Sequence, residues 1–183
     1  MEYGLYEVVS NHIYQIRGFD LGNMTLIKGK NSWIIIDPLT AKETARAALQ
    51  FANETLGRRP VSVVIFSHSH VDHFGGVRGV VEEADVQSKK VQLIAPEGFL
   101  DAAISENVFT GNAMSRRSQY QYGVLLPRSP LGHVDQAIGK NVANGNTGLL
   151  QPNHSISKNF EELTIDGVKM IFQNTPIPKP PLR

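Results

Sequence analysis

The chain has 183 residues, of which 41% are hydrophobic and 19% charged, the size and composition of a single folded domain. Its 18 basic and 17 acidic residues give a formal net charge of +1, so the chain has no basic surplus for binding nucleic acid through phosphates. The absence of cysteine excludes disulfides and thiolate metal ligands. We also expect no transmembrane segment, because no apolar run approaches the roughly 20 residues needed, and residues 1–10 lack a signal-peptide pattern. The sequence does not indicate the cellular compartment.

The first part of the chain has the pattern of a β-meander. Ile13–Arg17 alternates apolar and polar side chains, as in a half-buried strand, and Met24–Lys28 is a second predicted strand. Residues 29–31 are typical of a hairpin turn. They lead into a third predicted strand at residues 32–37, which is nearly all apolar and is expected to be buried on both faces.

A helix and a buried strand are predicted next. Thr40 is a possible N-cap, with Glu43 three residues later completing a capping box, and Gly57 is expected to end the helix after Leu56. The apolar residues recur at helical spacing and form one face: Ala45, Ala48, Leu49, Ala52 and Leu56. Residues 61–66 form a continuous run of β-branched and other apolar side chains, which is typical of a central strand.

The second half of the chain carries fewer regular patterns. We predict a short helix at residues 77–83, a buried strand at 91–95 and one or two helices at 99–122. A long irregular segment is predicted at 125–157 and a hairpin at 163–172. The hairpin turns at Asp166–Gly167, a strong turn dipeptide. Three strands, a helix and a buried strand in this order predict an α/β layered domain.

The residues that carry chemistry lie at 67–76, with the sequence SHSHVDHFGG, directly after the predicted central strand. His68 and His70 are two apart and would point the same way, while Asp72 and His73 would lie on the turn into the next helix. We therefore predict that His68 and His70 bind one metal ion and that Asp72 and His73 bind a second. Imidazole and carboxylate suit zinc best, with iron or manganese as alternatives. A polar surface loop is disfavoured, because three of the six histidines fall in one short window.

The pattern HxHxDH matches the metallo-β-lactamase superfamily motif residue for residue, and the flanking sequence resembles the linear alkyl sulfatases, also called type III sulfatases. The similarity extends over residues 4–176. The segments that carry it are GLYEV (4–8), YQIRGFD (14–20), NMT (23–25), DPLT (37–40), GNAMSRR (111–117) and YQYG (120–123). Glyoxalases and lactonases of the superfamily lack the pattern at 111–127, so we take the likeness as specific to the sulfatases.

The resemblance implies metal-dependent hydrolysis of alkyl sulfate esters at a site with two zinc ions. It implies an αβ/βα sandwich, and a helical insertion in which Arg116, Arg117, Tyr120 and Tyr122 would contact an anionic substrate. Surface solvation of the arginines and packing of the tyrosines are the alternatives. No catalytic residue is assigned. Intact members are homodimers and are often secreted to the periplasm, and neither property follows from this sequence.

The family's remaining ligands are expected beyond the point where this sequence departs from the pattern. Residues 1–176 are therefore predicted to form an incomplete metallo-β-lactamase sandwich, its N-terminal half with the helical insertion, and residues 177–183 to form a divergent Pro-rich tail. Glu161 and Asp166 have no motif that marks them as ligands. The alternatives in function are another hydrolase of the superfamily, of thioesterase or lactonase type, and a metal-binding remnant without catalysis.

Overall fold

A seven-stranded mixed sheet forms the centre of the structure, a computed structural model that describes residues 2–134 and 143–175. The predicted tail at 177–183 lies outside the described residues. The strands lie side by side in chain order: β1 (Gly4–Val9), β2 (Ile13–Arg17), β3 (Met24–Lys28), β4 (Trp33–Ile36), β5 (Val61–Ile65), β6 (Gln92–Pro96) and β7 (His154–Ile156). The pairs from β1 to β4 are antiparallel. Those from β4 to β7 are parallel, so the carboxyl ends of β4, β5 and β6 meet at one edge.

Helices connect the parallel strands, and a hairpin follows the sheet. The helices are α1 (Lys42–Leu56), α2 (Val71–Phe74), α3 (Glu83–Gln87), α4 (Phe99–Ile104) and α5 (Gly111–Tyr122). A 3₁₀ turn at Val77–Gly79 lies between α2 and α3, and a π-helical turn at Ser105–Phe109 follows α4 directly. The hairpin consists of β8 (Phe160–Ile165) and β9 (Val168–Gln173), which pair antiparallel as a separate two-stranded sheet.

The two faces of the central sheet are both apolar and pack against different partners. Alternate side chains, such as Trp33, Ile35 and Val64, belong to a large buried cluster that includes the alanine face of α1. The side chains between them, such as Ile34 and Val63, form a second cluster with the hairpin. This alternation is the period-2 pattern of a strand buried on both faces. The predicted α/β class and the central position of residues 61–66 are therefore confirmed.

The start of α1 differs from the prediction, because its residues bond elsewhere. Ala41 is the N-cap and no side chain caps the helix. The Thr40 hydroxyl donates instead to the buried carboxylate of Asp20, 2.9 Å away. The Glu43 carboxylate accepts hydrogen bonds from the backbone amide and the side-chain amide of Asn146, at 2.9 and 2.6 Å. The predicted capping box is thus wrong, since both of its side chains connect distant segments.

Three other elements differ from the predictions. The helix predicted at 77–83 is interrupted, with the 3₁₀ turn and α3 as separate pieces. Strand β7 lies within the segment predicted to be irregular, and β1 precedes the first predicted strand. A three-residue strand such as β7 is too short to give a periodic signal. Among the helices of the described residues, none has the length and apolarity needed to cross a membrane.

Candidate metal centre

The motif lies where two neighbouring parallel strands end. Residues 67–70 follow β5, and α2 begins at Val71. Asp37 follows β4, and its amide donates to the carbonyl of Ile65 at the end of β5, 3.0 Å away. Because the carboxyl ends of parallel strands commonly form ligand sites in α/β proteins, this edge is the expected position for functional side chains.

Three imidazole rings cluster at this edge. The ring centroids of His68 and His73 are 4.0 Å apart, and those of His68 and His70 are 4.6 Å apart. The Nε2 atom of His68 lies 3.1 Å from Nδ1 of His70, and Nε2 of His73 lies 3.3 Å from Oδ2 of Asp72. The three imidazoles and the Asp72 carboxylate thus lie close together, whereas their binding of metal stays a prediction.

The donor atoms fit a metal in pairs. Two ligand atoms, each about 2.0–2.1 Å from a tetrahedral zinc ion, are about 3.3 Å apart. The pair His68–His70 and the pair Asp72–His73 have separations of this size. In the part of the chain that the structure describes, however, no three His, Asp or Glu side chains form a complete site for one ion. The assignment of two of these side chains to each of two ions therefore stays a prediction.

Asp37 fixes the orientation of His73, a role that the sequence analysis missed. Its carboxylate accepts hydrogen bonds from the amide and hydroxyl of Ser67, at 2.8 and 2.6 Å, and lies 2.8 Å from Nδ1 of His73. Asp37 adopts a left-handed backbone conformation with φ 56°, which aspartate tolerates better than most residues. With Nδ1 held by Asp37, the Nε2 atom of His73 faces Asp72. Metal-binding histidines usually have such a carboxylate behind the ring.

The electrostatics of the three rings are unequal. Burial disfavours the protonated form of His73, but hydrogen bonds to Asp37 and Asp72 outweigh it and raise the pKa of His73 to about 9. Burial lowers the pKa of His68, as do the neighbouring His73 and His70. Burial alone would raise the pKa of Asp72, yet the hydrogen bond and charge of His73 lower it. In the metal-free protein His73 therefore holds its proton more strongly than His68 does, and a metal ion must displace it.

Two glycines let the motif pack closely against the turn after β4. A Cβ atom on Gly75 would collide with the carbonyl of Thr40, and one on Gly76 would collide with the carbonyl of Pro38. The amide of Gly76 donates to the carbonyl of Leu39, 2.9 Å away. The conformation of Gly75 is right-handed helical, with φ −59°, so the requirement here is close approach rather than a special turn.

An apolar groove begins beside the motif and runs between the sheet and the hairpin. Its volume is about 870 Å³. Ser67 and His68 of the motif line it, together with Ile65 and Ile94 of the sheet and Met170 of β9. It thus joins a polar cluster to an extended apolar surface.

The predicted substrate residues lie on α5. Arg116 and Arg117 are exposed and Tyr120 is 90% exposed, while Tyr122 is partly buried. Within residues 2–134 and 143–175, no hydrogen bond or ion pair joins these four side chains to the motif; the Nε of Arg116 contacts the carbonyl of Asn112 at 3.5 Å. Their contact with substrate stays a prediction.

Acidic residues elsewhere have other partners. Glu161 lies 3.2 Å from Nε2 of His154, and Asp166 accepts hydrogen bonds from Asn31 and Ser32, which ties the hairpin to the β3–β4 turn. Neither contacts the motif. Glu106 of the π-helical turn does approach it, since its Oε1 lies 3.6 Å from Nε2 of His70. No sequence pattern around residue 106 singled it out.

Comparison with known proteins gives consistent results. Residues 17–160 match the Metallo-beta-lactamase superfamily. The chain is 49% identical over 174 residues to an alkyl/aryl-sulfatase of Saccharomyces cerevisiae, which covers 95% of this chain and 27% of the relative. It is 47% identical over 173 residues to an (R)-specific secondary-alkylsulfatase of a Pseudomonas species, covering 94% of this chain and 26% of the relative.

A solved structure agrees with these matches. The stereoselective inverting sec-alkylsulfatase Pisa1 from Pseudomonas sp. superposes with a TM-score of 0.88 at 46% identity, covering 93% of this chain and 27% of that one. The predicted resemblance to alkyl sulfatases and the predicted partial metallo-β-lactamase fold are confirmed. The chain spans about a quarter of the length of these relatives.

Proposed function

Because the chain belongs to the metallo-beta-lactamase superfamily, we propose that it supplies the histidine-rich part of a two-zinc site that hydrolyses alkyl sulfate esters. The observation that carries the proposal is the cluster of His68, His70, Asp72 and His73 at the carboxyl end of β5. The relatives named as alkyl sulfatases support the choice of substrate class. The pairing of the donors supports a dinuclear rather than a mononuclear site.

Each motif residue has a definite task under this proposal. His68 and His70 would bind one ion, and Asp72 and His73 the other. Zinc in such a site supplies a bound water whose pKa is about 7 and stabilises developing negative charge. Asp37 keeps Nδ1 of His73 occupied by a hydrogen bond, so that Nε2 is the atom available to the ion.

The groove beside the motif supports an amphiphilic substrate. Ser67 and His68, which line it, suit a sulfate group near the metal ions, and the isoleucines that also line it suit an alkyl chain. Binding pockets for small molecules have volumes of about 300–1,000 Å³, a range that includes this groove. Arg116 and Arg117 would attract the anionic group, as the sequence analysis predicts.

A chimera tests the proposed activity directly. Residues 4–175 would replace the matching segment of the (R)-specific secondary-alkylsulfatase, to which the chain is 47% identical. We expect the zinc-loaded chimera to release sulfate from dodecyl sulfate or a secondary alkyl sulfate, and a His70→Ala chimera to be at background. Zinc content and circular dichroism of both proteins establish that they are loaded and folded.

The same preparation separates the alternatives. A folded, zinc-loaded chimera that cleaves a thioester or a lactone but no sulfate ester would contradict the proposal and favour another hydrolase of the superfamily. For the 183-residue chain itself we expect no sulfate release above a His70→Ala control. Under this proposal the motif supplies two ligands for each ion, whereas a catalytic zinc usually has three, and no group of three forms among the described residues.

A further inference from the structure

His70 has two ring nitrogens with different neighbours. Its Nδ1 faces Nε2 of His68 at 3.1 Å, the separation expected for two ligands of one ion. Its Nε2 points the other way, and lies 3.6 Å from Oε1 of Glu106. The ring is thus placed between a prospective metal position and a carboxylate.

The helical segment that carries Glu106 is anchored on both sides of the motif. Phe99, the first residue of α4, stacks on Phe66 with centroids 5.1 Å apart, and Phe66 directly precedes the motif. Phe99 also packs edge-on against Phe74, which follows His73, at 5.6 Å. Because α4 is fixed to these two aromatic rings, the position of Glu106 relative to His70 is set by the core.

A π-helical turn places Glu106 beside the motif. The amide of Thr110 donates to the carbonyl of Ser105, five residues earlier, at 3.0 Å. Single π-helical turns are frequent at functional sites. Here the turn contains the one residue of the segment whose carboxylate reaches a motif histidine among the described contacts.

We propose that Glu106 is a positioning residue that holds the imidazole of His70 with Nε2 toward its carboxylate and Nδ1 toward the metal position. The arrangement mirrors that of Asp37 and His73, with the two ring nitrogens exchanged. Carboxylates behind metal-binding histidines fix the orientation of the ring and raise its basicity. The inference rests on the proposed metal site and assigns the helical segment a part in building it.

Two kinds of measurement on the 183-residue chain test this role. The first uses NMR on the metal-free protein, where three-bond couplings report the χ1 rotamers of each histidine. We expect one dominant rotamer for His70 in the wild type and averaging among rotamers in Glu106→Ala, while the couplings of His73 stay unchanged. A general loosening of the fold would alter both rings, so the selectivity for His70 identifies positioning.

The second measurement is zinc affinity by calorimetry. Loss of a carboxylate behind a metal-binding histidine typically weakens metal binding by about 10- to 100-fold, and we expect this for Glu106→Ala. Glu106→Gln keeps a hydrogen-bond acceptor of the same size and is expected to lose less. Asp101→Asn is the matched control, because Asp101 is an exposed carboxylate on the adjacent α4.

These measurements distinguish a failure of the Glu106 proposal from a failure of the proposed function. If His70 keeps a single rotamer in both Glu106 variants, or if His70 and His73 change together, the positioning role is contradicted. If the wild-type chain binds no zinc, the proposed function loses its support, yet the couplings still decide the role of Glu106. If Glu106→Ala does not fold, Glu106→Gln provides the same two readouts.

Discussion

The histidine motif has two halves, the pair Asp72–His73 and the pair His68–His70, and the fold supports the first with closer contacts than the second. His73 has a 25% exposed side chain and lies between two carboxylates, with Nδ1 2.8 Å from Asp37 and Nε2 3.3 Å from Asp72. His70 has a 59% exposed side chain, and its nearest carboxylate, that of Glu106, is 3.6 Å away. His73 is therefore held by two close carboxylates, whereas His70 depends on one weaker and more distant contact.

The origin of the partners explains the difference. Asp37 follows β4, which pairs directly with β5, so the backbone of the sheet itself brings it to His73. Glu106 comes from a helical segment after β6, which reaches the motif through packing of Phe99. A contact made by adjacent strands is fixed by the register of the sheet, whereas the approach of Glu106 depends on the packing of Phe99 against Phe66 and Phe74.

The largest effect should come from removing Asp37. Asp37→Ala leaves the amide and hydroxyl of Ser67 and the Nδ1 of His73 without their acceptor, and places alanine at a left-handed φ. Breaking a buried charged pair typically costs about 3–5 kcal/mol, and we expect a loss of this size in the free energy of unfolding. Urea denaturation of the metal-free chain measures it.

A control variant tests whether the loss of unfolding free energy comes from the contacts of Asp37. Asp101→Ala removes an exposed carboxylate and should change the free energy of unfolding by no more than about 0.5 kcal/mol. Asp37→Asn, which keeps the side-chain size and suits a left-handed conformation, should fall between the two. An Asp37→Ala protein as stable as the Asp101→Ala control would show that the stability of the fold around His73 does not depend on Asp37.

A smaller effect is expected from pH. The pKa of His73 is raised from 6.5 to about 9, because hydrogen bonds to Asp37 and Asp72 outweigh burial. This contribution to stability is fully present below pH 6.5 and is lost as pH rises through 9. Since one pKa unit corresponds to about 1.4 kcal/mol, the free energy of unfolding should fall by up to about 3 kcal/mol over that window.

Comparison with Asp37→Asn isolates this titration. The variant lacks the charge that helps to hold the proton on His73, so its stability should depend less on pH between 6.5 and 9. Urea denaturation of both metal-free proteins across that range provides the measurement. Parallel pH profiles for the two proteins would be inconsistent with a protonated His73 held by Asp37.

The smallest effect on stability should come from the exposed half. His70→Ala removes a ring that is 59% exposed and packs only loosely, so the free energy of unfolding of the metal-free chain should change by about 0.5 kcal/mol or less. The same denaturation assay applies, with His12→Ala as a matched exposed control. A loss of 2 kcal/mol or more, on the order of a core substitution, would show that His70 contributes to the stability of the fold as much as His73 does.

Sequence patterns predicted what depends on local periodicity and on adjacent residues. The strands Ile13–Arg17 and Met24–Lys28 and the turn at Asp166–Gly167 are as expected, and so is the clustering of the three motif histidines. The carboxylates behind the rings could not be found in this way. Asp37 lies 36 residues from His73 in sequence, and only the parallel pairing of β4 with β5 brings them together.

Two further failures have the same cause. Thr40 and Glu43 had a valid local capping pattern, but the tertiary hydrogen bonds to Asp20 and Asn146 replaced it. Glu106 was missed because it reaches His70 only through the packing of α4 against the motif, which no local pattern records. In both cases the deciding contact is long-range, and local sequence does not express it.

Zinc titration of the 183-residue chain by calorimetry tests the central claim, that His68, His70, Asp72 and His73 form a metal site. We predict binding with at best micromolar affinity, lost in His68→Ala/His70→Ala and retained in His12→Ala. The affinity should be weak because no group of three His, Asp or Glu side chains forms a site among the described residues, and each missing partner typically costs about 10- to 100-fold. Binding that survives the double substitution, or no binding by the wild type, would contradict the metal site. Nanomolar binding of two equivalents would contradict the ligand count.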